Sequence, residues 1–475
     1  MNRNNIWIHI GIALILVTLA AVLGQIDRWR AGLRPATSET RDIVRSAGKP
    51  NAVKRSRSDS EPEVLVRFKP GVSMTQIAKL VARNNDRVED NVEFVRGLTS
   101  IDDLDDADPA AVAAQYTAMT DLVEYAHPNY RIELGTPDAK PVEERFEDDV
   151  TSSPNDPHFA DQWALNNDGS GGGRKGAHID ALKAWNITKG SSEVVVAVLD
   201  TGVDYTHPDL ISNMWIRPEN VPQYSDGELG AFNDRYGFNA VDNAADPMDE
   251  NGHGTHCAGV IGAEGDNELG IAGINWKARI MPLKFLGRGG FGTTKDAIEA
   301  INYAVDRKQK GVNVRIISAS WGSTQYSKAL EDAIRAAGEQ GILFIAAAGN
   351  SSTDNDRRPH YPSNYNLPNV ISVAALDRTD ALASFSNYGA KTVHVAAPGK
   401  EIVSTWLNEA YREASGTSMA TPHVAGIAAL IVARDRSITV EKLKERVMAA
   451  VDKIEQLNGK VVSGGRINAA KALAN

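Results

Sequence analysis

The sequence contains one cysteine, Cys257, so no intramolecular disulfide can form. Such poverty ordinarily points to a reducing compartment. Positive charge is in deficit, with 51 Lys and Arg against 61 Asp and Glu and a net charge of -10. That balance argues against general nucleic-acid binding and suits acidic oxygen clusters that hold hard cations. No internal repeat is evident. Long apolar runs are also scarce. With 24% charged residues the chain is neither wholly disordered nor a polytopic membrane protein. What it does have is 475 residues at 42% hydrophobic content, enough for more than one domain and a sizeable core.

The one long apolar run, residues Ile6 to Gly24, is interrupted mainly by His9 and preceded by Arg3. It reads as a signal peptide or a membrane anchor over residues 1–24, and so as export to an extracellular or periplasmic location, against the cysteine hint. Arg28, Arg30 and Arg34 fit poorly with a simple N-inside anchor. Residues 25–62 are polar, rich in Arg, Ser and Pro and without apolar periodicity, as in a solvated tether.

Structure is expected to resume at Glu63. Val64, Val66 and Phe68 alternate as on a half-buried strand. Ser73 with Gln76 forms a capping-box pattern ahead of Met74, Ile77 and Val81 on one helical face. Strands are expected around Val92–Val95 and Gly97–Leu104, a helix over Pro109–Met119, and a strand near Leu122–Leu134 broken by Pro128. This β-α-β-β-α-β order over 63–134 suggests a small α+β ferredoxin-like sandwich, which by itself says nothing about function. An acidic, Pro-containing linker over 135–153 separates it from a third region, 154–475.

That region reads as α/β. Val194–Leu199, Ile280–Phe285, Val314–Ala319, Ile342–Ala347 and Val370–Ala375 are short continuous apolar runs, as in strands buried on both faces. Ile298, Ile301 and Val305 share one helical face, and Leu330, Ile334 and Ala337 another. The alternation predicts a mostly parallel central sheet between helical layers, with a site at the carboxyl ends of its strands.

Three Gly-flanked segments carry candidate chemistry. Asp200-Thr201-Gly202 closes the Val194–Leu199 strand. Asn251-Gly252-His253-Gly254-Thr255-His256 opens an Ala/Gly-rich helix, and Gly416-Thr417-Ser418-Met419-Ala420-Thr421-Pro422 opens another. Each is ordinary alone: a turn acid, a structural His pair, an N-cap serine. Together they supply an acid, a base and a nucleophile. A serine hydroxyl needs a base to take its proton, and the base needs a carboxylate to fix its tautomer. The order Asp, His, Ser differs from that of the chymotrypsin and α/β-hydrolase groups, and no G-x-S-x-G elbow surrounds Ser418. Composition does not decide between His253 and His256. A zinc centre from His253, His256 and Cys257 competes, but no second cysteine cluster supports it.

Asp200 to Asp204, His253 to Gly259 and Gly416 to Pro422 resemble the three signature blocks of the subtilisin family of serine peptidases. The likeness runs from about Pro154 to the end of the sequence. Cys257 beside His253, and the Asn155-Asp156-Pro157 opening, are similar to the thermitase branch. The resemblance implies a subtilisin-like three-layer fold and a serine endopeptidase acting through an acyl-enzyme on Asp200, His253 and Ser418. It assigns the base to His253 and the oxyanion donor to Asn350, after Ala346-Ala347-Ala348-Gly349. Gly290, Phe291 and Gly292, with Ser320, Trp321 and Gly322, would flank an extended peptide. Ala347, Gly349 and His360 complete the substrate residues, His360 at the base of the primary specificity pocket. A broad, apolar-to-aromatic preference before the scissile bond is expected. Structural calcium is implied at Asp156, Asp209, Gly265, Asn267, Leu269 and Ile271, with a second site at Asp242, Asp246 and Asp249. The 63–134 sandwich would then be a propeptide that inhibits and templates the enzyme until self-cleavage within Gly135–Pro154. Partners are protein or peptide substrates and the chain's own propeptide, and a monomer is expected. A specialised processing peptidase or peptide ligase, or a catalytically inert binding homologue, are the alternatives.

Overall fold

The computed structural model describes residues 63–135, 139–142, 153–226 and 230–474. The expectations for residues 1–62 and for most of the acidic linker lie outside them. Among the described residues no helix is long and apolar enough to cross a membrane.

The first layer of structure is a sandwich: β1 (Glu63–Phe68), α1 (Met74–Arg83), β2 (Asp86–Asn91), β3 (Leu98–Asp103), α2 (Pro109–Thr117) and β4 (Val123–Pro128). The sheet order is β2-β3-β1-β4 with antiparallel pairings. Ser73 Oγ accepts from the Gln76 amide while the Gln76 side chain accepts from the Ser73 amide, so α1 starts on a complete capping box. Asp108 caps α2, with Pro109 in its first turn. Val64, Val66 and Phe68 pack with Ile77, Val81 and Tyr116. Leu65 points the opposite way, as strand alternation requires, and joins a cluster containing Ala297, Ile298 and Ile301.

Val92–Val95, expected as a strand, is the turn between β2 and β3. Val92 and Val95 are nonetheless buried, in the same cluster as Leu65 and Ile298. Their apolarity serves docking of the turn, not sheet formation.

Two short strands follow, β5 (Arg131–Glu133) and β6 (Lys140–Pro141). The α/β region then contributes β7 (Gly190–Asp200), β8 (Phe238–Asn239), α3 (His253–Gly262), β9 (Lys277–Lys284), β10 (Phe291–Thr293) and α4 (Thr294–Gln309). Next come β11 (Val314–Ala319), α5 (Lys328–Glu339), β12 (Leu343–Ala347), β13 (Val370–Leu376) and β14 (Val395–Pro398). Last are β15 (Ile402–Trp406), β16 (Ala410–Ala414), α6 (Thr417–Arg434), β17 (Val451–Lys453) and β18 (Gly465–Ile467).

Nine strands form one sheet in the order β8-β9-β7-β11-β12-β13-β14-β18-β17, parallel except for the β17–β18 pair at one edge. β11, β12 and β13 are buried along their whole length, which is why they read as unbroken apolar runs. From Thr417 to Val432 every residue of α6 is buried, so this helix runs through the interior and shows no polar face. The fold is an α/β arrangement with a mostly parallel central sheet, as the sequence predicts. It brings Asp200, Ser320, Ala347 and Asn350 to the carboxyl ends of adjacent strands.

Candidate active site

Asp200 is the last residue of β7 and His253 the first of α3. Their approach depends on Gly254, where an added Cβ would lie 2.0 Å from the Gly202 carbonyl oxygen. With that atom absent, His253 Nδ1 reaches Asp200 Oδ1 at 2.7 Å. Both side chains are buried. Burial alone would push the imidazole down; the Asp200 charge and hydrogen bond, with a further contribution from Asp249, outweigh it and raise the His253 pKa above the ordinary value.

His256 sits one turn on and does different work. Its Nε2–H donates to the carbonyls of Ile402 at 3.0 Å and Arg412 at 3.1 Å, tying α3 to β15 and β16. Burial, and then the neighbouring His253, push it down to about 3. It is a neutral structural imidazole.

Ser418 lies in the first turn of α6 and is 8% exposed. Its Oγ donates to the Ser320 carbonyl at 2.8 Å, and Ser320 Oγ donates back to the Ser418 carbonyl at 2.8 Å. The hydroxyl is thus bonded to Ser320 and not to His253. Cys257 Sγ also approaches the Ser418 carbonyl, at 3.6 Å. Asp200, His253 and Cys257 bring ligand atoms within 4.8 Å of one another, a grouping of the kind that could hold a metal. Burial, with a contribution from Asp200, holds the Cys257 thiol well above its ordinary pKa, whereas a metal ligand must be thiolate. The direct His253–Asp200 bond leaves that grouping as a hydrogen-bonded pair beside a buried neutral thiol.

Asn350 follows β12 and is exposed. Its Oδ1 accepts from the Thr417 amide at 2.8 Å and from Thr417 Oγ1 at 2.9 Å. With the oxygen committed, the amide group is left as a donor beside the Ser418 turn. Ala347 ends β12 in the core, and the Gly349 amide donates to Thr417 Oγ1 at 3.1 Å.

The chain's own segment after β4 fills the groove alongside. β5 pairs antiparallel with β10, Glu133 opposite Phe291, Ile132 opposite Gly292 and Arg131 opposite Thr293. The Leu134 amide donates to the Gly290 carbonyl at 2.9 Å. Gly292 is required here, since a Cβ would fall 1.9 Å from the Phe285 carbonyl. Ile132 is buried in a cleft lined by Thr294, Trp321, Leu330 and Tyr361. Trp321 packs on Phe285 and donates its indole N–H to the Leu199 carbonyl at 3.0 Å. The Ser320–Gly322 segment therefore lines the groove but forms no ladder with β5. Gly322 and Gly349 both abut the His360 ring, whose Nδ1 is buried without a partner.

The sandwich also completes two helix starts. The Lys295 amide donates to Asn129 Oδ1 at 2.8 Å and the Thr294 amide to the Tyr130 carbonyl, supplying acceptors to the first turn of α4. The Ala329 amide of α5 donates to His127 Nε2 at 3.2 Å. Arg67 and Tyr125 converge on Asp332. Lys295 Nζ, 1% exposed, lies 2.7 Å from Glu89, 3.4 Å from Glu299 and 3.6 Å from Glu63. Glu63, Glu89 and Asp102 also form a cluster of potential metal ligands, but the Lys295 ammonium supplies its positive charge. Nothing in the sequence patterning distinguishes Lys295, Glu63 and Glu89 from surface charges; they meet only through tertiary docking.

Of the expected calcium residues, Asp156 and Asp209 are buried beside the partly exposed loop 265–271. Asp156 Oδ2 accepts from the Asp266 amide, and Oδ1 is buried without a partner. Asp209 accepts from Asn267 Nδ2 at 2.9 Å, the Ile271 amide at 3.0 Å and Tyr411 at 3.2 Å. Burial, with the neighbouring carboxylate adding to it, pushes Asp209 up to about 7; burial likewise pushes Asp156 up to about 6. An orphaned buried oxygen and two uncompensated carboxylates fit a hard cation. Asn267 would have to present its amide oxygen in place of its N–H. Gly265 backs onto Trp276, and the Leu269 side chain is exposed.

The three aspartates expected at a second site make separate contacts. Asp242, Asp246 and Asp249 do not converge among the described residues. Asp242 accepts from Asn239, and Asp246 from Tyr205 and the Met248 amide. Asp249 is saturated by the amides of Asn251, Gly252 and Thr255 and by the Thr255 hydroxyl, so it braces the start of α3.

Known proteins resemble this chain over most of its length. The profile of the subtilase family matches residues 191–464. A thermophilic serine proteinase of Bacillus sp. (strain AK1) is 36% identical over 420 residues, 86% of this chain and 87% of the relative. Thermitase of Thermoactinomyces vulgaris is 38% identical over 321 residues, 68% of this chain and 99% of that protein. Among solved structures, one of the proteases from Pseudoalteromonas arctica superposes with a TM-score of 0.56 at 28% identity, covering 68% of this chain and 99% of that one.

Proposed function

The chain belongs to the subtilase family and is a serine-type peptidase; from that premise we propose that it is an exported, self-processing endopeptidase using Asp200, His253 and Ser418. The observation that carries this reading is the 2.7 Å His253–Asp200 bond at the end of β7, with Ser418 opening α6 beside it. Ser418 Oγ attacks the scissile carbonyl and passes its proton to His253 Nε2. Asp200 holds the Nδ1–H tautomer and stabilises the imidazolium. The Asn350 amide and the Ser418 N–H receive the oxyanion. His253 then protonates the leaving amine, and water releases the acyl group by the reverse sequence.

The 63–134 sandwich acts as the propeptide. Its β5 tail lies in the groove as an extended peptide would, main chain to main chain on β10. Such pairing tolerates many sequences and blocks the cleft until the tail is cut within Gly135–Pro154. His360 fills the space between Gly322 and Gly349, which narrows the pocket for the residue before the cut relative to the broad apolar preference expected from sequence. Asp156, Asp209 and Asn267, with loop carbonyls, hold a structural calcium ion whose charge offsets the buried carboxylates. Export rests on the apolar run from Ile6 to Gly24.

Fluorophosphonate labelling tests the reading. The processed protein is expected to label on Ser418, and Ser418→Ala to lose the label. Absence of labelling in active-site-exposed wild-type protein would refute it.

A further inference from the structure

The strand that lies in the groove also carries charge onto its outer face. β5 runs exposed, buried, exposed, so Ile132 points into the cleft while Arg131 and Glu133 share the face turned to solvent. On β10, Phe291 stands opposite Glu133 and Thr293 opposite Arg131. Arg131 and Phe291 are therefore diagonal neighbours across an antiparallel pair, a separation that long and aromatic side chains bridge. The guanidinium carbon of Arg131 lies over the Phe291 ring, 4.0 Å from its centre. The cation thus meets the electron-rich face of the ring.

Core packing does not account for this phenylalanine. Its side chain is left 37% exposed and takes no part in the buried clusters on either side of the central sheet. The ring is instead held by its own turn. It rests on Gly289, where an added Cβ would fall 2.8 Å from two ring carbons. The Gly290 amide donates to the Gly287 carbonyl and the Gly287 amide to the Phe291 carbonyl, both at 2.8 Å. Gly290 has a φ of +76°, which a glycine adopts at no steric cost. All of these contacts lie within residues 287–291, so none depends on the tail.

We propose that Phe291 is a specificity-determining residue of the peptidase, an aromatic platform for an arginine or lysine side chain of the bound substrate. The position it reads is the one immediately before the residue that fills the Ile132 cleft. The inference rests on the peptidase reading above and names its substrate class: extended protein segments in which a basic residue precedes an aliphatic one, with Arg131-Ile132 as the first occupant. The main-chain ladder on β10 is indifferent to side chains, and the Ile132 cleft reads apolar volume. Phe291 adds the discrimination by charge, and the chain's net charge of -10 biases encounter in the same direction.

The test uses two synthetic peptides of residues 128–156, one with Arg131 and one with citrulline in its place. Citrulline keeps the length and planarity of the side chain and removes its charge. Cleavage of each is followed by loss of intact peptide on the same preparation of processed enzyme, for wild type and for Phe291→Leu, which stays apolar without a π face. The ratio of kcat/KM for arginine over citrulline is independent of how much of a preparation is folded. Wild type is expected to favour arginine by about 2- to 5-fold, the range of an exposed cation–π contact, and Phe291→Leu to lose that preference. The same ratio in both enzymes would overturn the proposal. Fluorophosphonate labelling of each preparation separates the two readings. Wild type that labels on Ser418 and cuts both peptides alike, or neither, overturns the Phe291 platform alone. Wild type that neither labels nor cuts overturns the peptidase reading and this one with it.

Discussion

Replacing Lys295 by methionine should loosen the cut propeptide from the enzyme. Lys295 Nζ is 1% exposed and has Glu89, Glu299 and Glu63 within 3.6 Å. Two of those carboxylates come from the sandwich and one from α4 itself. The ammonium is therefore the charge that lets β1 and β2 bury their acids against the helix. Removing one partner of such a buried arrangement costs about 3–5 kcal/mol, because the remaining charges stay buried and unpaired. Burial and the hydrogen bond to Glu89 already favour a proton on Glu63, which limits the charge left uncompensated. That relief places the effect at the lower end, about 3 kcal/mol, or roughly 100-fold in affinity. The measurement is the lag between self-cleavage and the appearance of activity on an added peptide, which reports propeptide release. Lys295→Met should shorten the lag and raise the inhibition constant of added propeptide. An unchanged lag and an unchanged constant would mean that Lys295 does not hold the propeptide.

The same cluster gives propeptide binding a pH dependence. Burial and Glu89 raise Glu63 to about 8 in the docked state, so docking takes up a proton. Its contribution is complete below the ordinary carboxylate pKa, near 4.5, and is lost as pH rises through 8. His127, pushed down by burial against α5, acts oppositely, because its contribution holds above its ordinary value and fades as pH falls. Release should therefore accelerate from neutral to alkaline pH, and Glu63→Gln should flatten that rise in a lag-time profile. Asn350→Ala should lower kcat by about 10²–10³ with little change in KM, a magnitude measured in subtilisin itself; a change confined to KM would count against the oxyanion role. A calcium chelator should lower the unfolding temperature of the processed protein, and Asp209→Asn should remove most of that sensitivity; indifference of the wild type to chelation would remove calcium from this account.

The proposed catalytic trio stands out in sequence because such chemistry demands rigid local settings. An acid at a strand end and two Gly-flanked helix starts leave a trace that survives translation into one dimension. The choice of His253 over His256 was not legible from the residues, since it depends on which imidazole faces Asp200 and which faces the carbonyls of Ile402 and Arg412. Asp249 reads two ways for a related reason. An acidic residue near a candidate base reads as a cation ligand, yet its carboxylate is saturated by four donors at the start of α3. Val92 and Val95 misled because docking buries apolar side chains without any periodic backbone. The Lys295 cluster and the capping of α4 and α5 by Asn129 and His127 join residues far apart in sequence and of unremarkable type. Only the docked fold brings them together.

Whether Ser418 frees its own cleft is read from N-terminal sequencing of the purified protein alongside Ser418→Ala. The wild type is expected to show a new N-terminus between Leu134 and Pro154, and the variant to remain uncut. A Ser418→Ala protein cut at the same bond after purification, or a wild type that labels on Ser418 yet never loses its propeptide, would contradict self-processing.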